Sequence, residues 1–419
     1  MRLVMKIIRT EQIYIGYDEH ISRLCHLSKN LYNQSNYLLR QQFMNGERQT
    51  GYVELVKLFQ NPSEDEEKNN YQKLPAQTAQ WTIKKVKQSW NSFFKSIKDY
   101  RKHPEKYFGR PRIPRYKSKD GEFILTFTNQ QCSIERGILR FPRIIDVKVK
   151  TRLDNVNLRE VRIVPQGVGY TVEIVYEKNI PDPIGISTAR ALAIDIGVNN
   201  LVTIVNSIGV QPIAVRGGLL KSINQYYNKE YSRLKSISDR QLGNRHLTKR
   251  EEKLFMKRNR KIRDVMHKVS RSIVTCALSE GVDTIVIGHN DGWKQESNMG
   301  RRNNQNFVQI PFSTLIDMLR YKGEDAGIQV VVQEESHTSK CSFLDSESIE
   351  HHDEYEGKRI KRGLFRSSEG TIINADVNGA YNIGRKAFPN LFRSEGIEAS
   401  GLKPRSLSIG QMITSKGVC

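Results

Sequence analysis

Two aspartates stand where a carboxylate is costly unless something holds it. Asp195 closes the apolar run Ala191 to Ile194, and Gly197, Asn199 and Asn200 after it tolerate unusual backbone angles. The chain then re-enters an apolar run, Leu201 to Val205, so ALAIDIGVNN reads as a buried strand turning into a hairpin. An acid at the end of a core strand must be solvated, paired or bound to metal. Asp376, in IINADVNGAYNI (372–383), follows a second short apolar run at what reads as a helix start. Taken alone, either acid is more often a hairpin acid or an N-cap. Together they suggest a divalent-cation site built by folding, because hard cations take oxygen ligands.

Composition narrows the partners. The 419 residues should hold two or three domains. A net charge of +22 points to a polyanion. The five cysteines (25, 132, 276, 341 and 419) form no C-x-x-C, which argues for reduced thiols in a cytosolic protein, with neither a disulfide framework nor a four-cysteine zinc site. MRLVMKIIRTEQIYIG is too short and too charged for a signal peptide, and no run approaches 18 apolar residues, so no membrane span is expected. The expected setting is the cytoplasm.

The elements that must position these groups can be read in chain order. Short strands are expected over 3–8 and 12–16, then a helix over about 19–43 with Ile21, Leu24, Leu27, Leu31 and Leu38 as core residues. NPSEDEEKNN (61–70) is a polar loop. Pro75 opens a long helix whose face is Ala79, Ile83, Val86, Trp90 and Phe94. Between 95 and 119 stand ten cations (Lys95, Lys98, Arg101, Lys102, Lys106, Arg110, Arg112, Arg115, Lys117, Lys119) against Asp99 and Glu105. Tyr100, Tyr107, Phe108 and Tyr116 are interleaved; cations contact phosphates and rings stack on bases, so this stretch is the first nucleic-acid footprint.

From 122 to 176 the pattern changes to short alternating runs, expected to form a small antiparallel sheet or barrel with the N-terminal strands. A linker over 179–187 leads to a second domain. There three strands (191–196, 201–206, 211–215), a long basic helical region, a strand (283–287), a helix (311–326), a strand (328–333), an insertion and a helix from about 376 follow one another. This order is that of a ribonuclease H-like fold, whose carboxylates converge from the first strand, the fourth strand and the last helix. Residues 211–270 hold sixteen Lys or Arg against five Asp or Glu. Phe255, Ile262, Val265, Val269, Ile273 and Cys276 keep one apolar face there, and Lys257, Arg258, Arg260 and Lys261 belong to a cationic face suited to a duplex.

AIDIGVNNLVTI, TIVIGHN, ESHTSKCS and INADVNGAYNIGRK, in this order and spacing, resemble the RuvC-type domain of the TnpB (OrfB) family, insertion-sequence RNA-guided DNA endonucleases related to type V CRISPR effectors. FGRPRIPRYKS and the flanking segments resemble the family's recognition helices and wedge-like barrel. The resemblance implies an α+β and α/β multidomain chain: an N-terminal small β-barrel (1–180) with an inserted helical recognition segment (about 19–110), a RuvC-like nuclease domain (181–390), and a flexible tail (391–419). It implies Mg²⁺-dependent (or Mn²⁺-dependent) cleavage of double-stranded target DNA beside a short motif, directed by a guide RNA from the transposon end. Two ions about 3.5 to 4 Å apart would activate a water and stabilise the leaving oxygen, with Asp195 bridging them and Asp376 holding one.

Two departures from the family matter. A Glu is usual at the end of the fourth core strand, whereas TIVIGHN places Gly288 there. The neighbouring strand ends in Glu334 and Glu335, and strands in one sheet lie about 4.8 Å apart, so a relocated carboxylate, Glu335 ahead of Glu334, is expected to fill the position. Asp291 and Glu296 are weaker candidates. The family also commonly carries four cysteines in the insertion, which here (337–373) holds only Cys341. His351, His352, Asp345 and Asp353 lack the spacing of a structural zinc site, so a zinc-free insertion is expected. Its stretch KRIKRGLFRSSEG, with Lys358, Arg359, Lys361, Arg362 and Arg366, is a candidate contact to the target strand. A guided DNA-binding repressor without cleavage is the alternative reading, and a transposase joining DNA ends by itself accounts less well for the basic N-terminal half.

Overall fold

The computed structural model describes residues 4–61, 69–181, 190–242, 247–290 and 309–414. The chain divides into two compact units, Lys6–Lys178 and Asn179–Cys419 joined by Met1–Met5.

In the first unit, strand β1 (Val4–Gly16) runs unbroken where two short strands were expected. Helix α1 (Glu19–Met44) starts where the Asp18 carboxylate accepts the Ile21 N–H at 2.9 Å. Helices α2 (Tyr52–Gln60) and α3 (Ala76–Tyr100) follow. Strands β2 (Leu125–Thr128), β6 (Asn157–Gln166) and β7 (Gly169–Pro181) join β1 in a sheet of order β1-β7-β6-β2. Strands β3 (Ser133–Glu135), β4 (Ile138–Arg140) and β5 (Val149–Lys150) make a separate small sheet. Among the described residues, then, the strands pair as two sheets, with β1 and β2 at the edges of the larger one, and not as one continuous ladder. Ile21, Leu31, Ile83, Trp90, Phe127 and Tyr170 share one core. Phe94, expected in that core, is 40% exposed and joins a cluster of rings with Phe43 and Trp90.

The second unit is built on a six-stranded sheet. Strands β8 (Ala191–Ile196), β9 (Asn200–Asn206) and β10 (Ile213–Arg216) are successive antiparallel neighbours. Strands β11 (Thr284–Gly288) and β12 (Gln329–Gln333) continue the sheet in parallel on the other side of β8. The expected basic helical region is two helices, α4 (Gly218–Leu242) and α5 (Lys249–Ser279); α5 begins with a capping box between Thr248 and Glu251. Helix α6 (Phe312–Ala326) precedes β12.

Side-chain alternation assigns the faces. Leu192, Ile194 and Ile196 of β8, with Ile285 and Ile287 of β11, pack into a core shared with Ile262, Val269, Ile273, Phe312 and Leu319 of α5 and α6. Ala191, Ala193 and Val286 point the other way, toward Val377, Ala380, Tyr381 and Ile383 of helix α7 (Ala375–Ala387). The parity of Asp195 and Gly288 puts both on this second face. Phe255, expected in the apolar face of α5, is 47% exposed and lies 6.4 Å from the Tyr227 ring.

The insertion carries strands β13 (Lys358–Lys361), β14 (Leu364–Arg366) and β15 (Ile372–Asn374) as one antiparallel sheet. The expectation of a flexible tail is corrected over most of its length. Helix α8 (Ala399–Leu402), strand β16 (Arg405–Ser408) and helix α9 (Ile409–Thr414) form, β16 pairs in parallel with β10, and Leu407, Ile409 and Met412 are buried. The open edge of β10 supplies a ladder that few apolar residues are then enough to anchor. The thiols also depart from expectation: Cys25, Cys132 and Cys341 are free, but Cys276 is disulfide-bonded. Pairing depends on which positions the fold brings together, and spacing along the chain does not report that. Among the described residues no helix is long and apolar enough to cross a membrane.

Candidate active site

Asp195 is the fifth residue of β8, opposite Thr203 of β9, and its parity turns it from the α5 side toward α7. A Cβ on Gly379, in the second turn of α7, would sit 3.5 Å from Asp195 Oδ2, so the carboxylate lies against that helix. Asp376 is in the first turn of α7, whose N-cap Asn374 accepts the N–H groups of Asp376 and Val377 at 3.0 and 3.2 Å. The fold thus brings the two aspartates, 181 positions apart, to one place. Burial, then the charges of Asp376 and Glu335, push the Asp195 carboxyl up to about 8, while Arg359 acts in the opposite direction.

The third acid arrives as a consequence of the gap at Gly288. This glycine ends β11 beside Gln333 of β12, and the His289 N–H reaches the Gln333 carbonyl at 2.9 Å. Two residues further, Glu335 extends the same strand parity, and its backbone N–H donates to Asn290 Oδ1 at 2.9 Å. A Cβ built on Gly288 would lie 2.9 Å from Glu335 Oε2, so the carboxylate occupies the space a side chain at 288 would enter. Burial, then the neighbouring Glu334, push Glu335 up to about 7. Glu334 goes elsewhere: it is exposed, Lys386 reaches its Oε2 at 2.5 Å, and this pairing holds its carboxyl below the usual range. Asp291 and Glu296 lie outside the described residues.

Three neighbours stand beside these acids, of which Asn200 and Asn290 had been read only as turn or loop residues and Arg359 as a contact to the target strand. Asn200 donates to Asp376 Oδ2 at 2.8 Å. Arg359, on β13, approaches Asp376 Oδ1 at 3.7 Å. Asn290 fixes the backbone of Glu335. Their amide and guanidinium chemistry was visible in the sequence, but nothing there links residue 200 or 359 to 376.

The donor chemistry of Asp195, Glu335 and Asp376 suits a hard cation. Their arrangement is convergent but not closed. Among the described residues no three His, Cys, Asp or Glu side chains gather tightly enough to hold an ion. Asp376 is turned to Asn200 and Arg359, which give its carboxylate a hydrogen bond and a neighbouring positive charge.

Hydrogen bonds and one ring stack hold the insertion. Buried Glu347 accepts the N–H groups of Ser342 at 2.6 Å and Glu356 at 3.0 Å. Asn378 and Asn382 of α7 both donate to the Cys341 carbonyl, at 2.9 and 2.8 Å, and Phe343 stacks on Tyr381 at 4.6 Å.

Of the cationic candidates, Lys95, Lys98, Arg101, Arg110, Arg112, Arg115 and Lys117 are all exposed in the first unit. Residues 114–119 are strapped to α1, with Lys29, Asn33, Asn36 and Arg40 donating to their carbonyls. In the second unit Lys257, Arg260 and Lys261 are exposed. Arg258 is committed internally: its guanidinium bonds Asn224 Oδ1, Asn259 Oδ1 and the Gln309 carbonyl at 2.9, 2.8 and 2.6 Å.

Comparison with known proteins adds identity to this geometry. Residues 174–294 match the family model of a probable transposase, OrfB_IS605, and residues 312–383 match a Cas12f1-like TNB domain. A TnpB-like protein, ORF457 of Acidianus two-tailed virus, is 22% identical over 89% of this chain and 84% of its own length. The structure of a Cas12f1–sgRNA–target DNA complex covers 88% of this chain and 83% of that one, with 15% identity and a TM-score of 0.52. The fold is the mixed α+β multidomain type of compact Cas12f and TnpB-like effectors. Parts of the chain therefore match the OrfB_IS605 and Cas12f1-like TNB models, and over most of its length the chain is similar to a TnpB-like protein.

Proposed function

We propose that the protein is an RNA-guided, divalent-metal-dependent DNA endonuclease of an insertion sequence, acting through a RuvC-type carboxylate site in which Glu335 replaces the acid absent at Gly288. The observation that carries this reading is the convergence of Asp195, Asp376 and Glu335 on one face of the sheet, with Glu335 Oε2 at the would-be side-chain position of residue 288. Asp195, Asp376 and Glu335 would hold Mg²⁺ or Mn²⁺, and the bound metal supplies a low-pKa water and charge stabilisation at a phosphodiester. The chain's own groups do the positioning. Asn200 orients Asp376, Asn290 anchors Glu335, and Arg359 places a cation beside the acids where a scissile phosphate would carry charge. Glu334, paired with Lys386, has no part in this set.

The partners would be a guide RNA from the transposon end and double-stranded target DNA, with the first unit, barrel-like and wedge-like in the family, reading a short adjacent motif. Support comes from the exposed cations of residues 95–117, from the net charge of +22, and from the likeness to a protein seen with sgRNA and target DNA. The Arg359–Asp376 pair and the bare Gly288 favour a second reading, a guided binder that represses without cutting. A plasmid assay with programmed guide RNA and Mg²⁺ decides: linear product supports the nuclease, and target protection without cutting supports the repressor.

A further inference from the structure

Helices α4 and α5 enclose a cavity of about 250 Å³ apart from the carboxylates. Leu219 and Ile223 give it aliphatic surface, Tyr226 and Tyr227 aromatic surface, and Lys257 and Lys261 two exposed cations, and no acidic side chain lines it. Its aromatic side is set before any ligand arrives. The Tyr227 ring stacks on Tyr231 at 5.6 Å and has Phe255 at 6.4 Å, the guanidinium of Arg258 lies 5.5 Å from it, and Arg258 is fixed by its three hydrogen bonds. Tyr226, by contrast, is 57% exposed beside Leu219, itself 46% exposed, and no ring of the described residues stacks on it. An exposed tyrosine and leucine at the mouth of a cationic cavity leave apolar surface in water that a flat ring would cover.

We propose that this cavity takes one unpaired nucleotide of a single strand, with its base against Tyr226 and its phosphates at Lys257 and Lys261. The ligand must combine a planar ring with adjacent negative charge, and the volume, below the usual range of about 300–1,000 Å³ for small-molecule sites, suits a single ring system and excludes a duplex. Stacking on aromatic faces beside cations is how single strands are held irrespective of sequence. This assignment goes beyond the duplex surface expected of the cationic face, and it rests on the reading that the protein carries a nucleic acid with unpaired segments.

The test uses the full chain and short 5-iodouridine-labelled oligonucleotides, one RNA and one DNA, in a binding titration with photo-crosslinking. Wild type should bind, and the crosslinked peptide should contain Tyr226. Tyr226→Ala should weaken binding about five- to a hundredfold, the scale of one lost base stack, while Tyr226→Phe restores it. The RNA and DNA arms show which strand is preferred. Unchanged affinity in Tyr226→Ala with crosslinks elsewhere overturns the cavity and leaves the guided-nuclease reading intact. Loss of self-association in Tyr226→Ala with oligonucleotide binding unchanged also overturns it, in favour of a second copy. No single-strand binding by wild type removes both readings.

Discussion

Glu335 Oε2 lies 2.9 Å from the point that a Cβ on Gly288 would occupy, and Ile383 Cδ1 lies 2.4 Å from the same point. The glycine and the displaced glutamate are therefore coupled, since a side chain at one position cannot coexist with the observed carboxylate at the other. Gly288→Ala should destabilise the chain by about 1–3 kcal/mol through overpacking, read by urea denaturation. It should also impair cleavage, because Glu335 must move. Wild-type stability together with wild-type cutting would remove the coupling.

The two neighbouring glutamates should separate cleanly. Glu335→Gln is expected to lower guided cleavage by about 10²-fold or more, the scale for removing one group that stabilises developing charge. Glu334→Gln should cost little, since its carboxylate is exposed and engaged with Lys386. Single-turnover rates on one plasmid substrate check this, and equal losses would break the assignment.

Asp195 makes stability depend on pH in a definite direction. Its folded pKa, about 8, stands above its ordinary 3.8, so between those values the folded chain holds a proton that the unfolded chain has released. That contribution is fully present below about 3.8 and is lost as pH rises toward 8. Metal-free protein should therefore lose stability from this site over that interval, and Asp195→Asn should flatten the dependence. Added Mg²⁺ should raise Tm most at the alkaline end, because a ligand of the folded state stabilises it. Thermal melts at fixed ionic strength with and without Mg²⁺ provide the readout.

Glu347 is 5% exposed and accepts two backbone N–H groups within the insertion. Glu347→Ala leaves the buried Ser342 donor unpaired, at about 1–3 kcal/mol, while the Glu356 N–H, on an exposed residue, can turn to water. Hydrogen exchange over residues 337–373 should accelerate in that variant, whereas a chelator added to wild type should leave exchange there unchanged.

Residues 405–414 pack into the second unit. Leu407, Ile409 and Met412 are buried at 4, 2 and 2% exposure. Ending the chain after Lys403 should remove roughly 1.5–3 kcal/mol for each of them and expose the β10 edge, which a fall in Tm would show. An unchanged Tm would return residues 404–414 to the status of a loose tail.

Sequence by itself determined the local facts. It fixed an acid after an apolar run at Asp195, another at a helix start at Asp376, a glutamate pair just after β12, a missing side chain at 288, and the succession of strands and helices from β8 to α7, because alternation, capping and turn chemistry act between near neighbours. What only the tertiary structure decided is which distant groups meet. Parity could place Glu335 and Gly288 on one face, but the separation of their side chains depends on how β11, β12 and α7 pack. Asn200 and Arg359 reach Asp376 from elements 176 and 17 positions away, Arg258 is drawn inward by Asn224 and Gln309, and β16 finds the edge of β10. Such contacts follow from burying shared apolar faces, whose partners are chosen by the whole fold and leave no mark in local spacing.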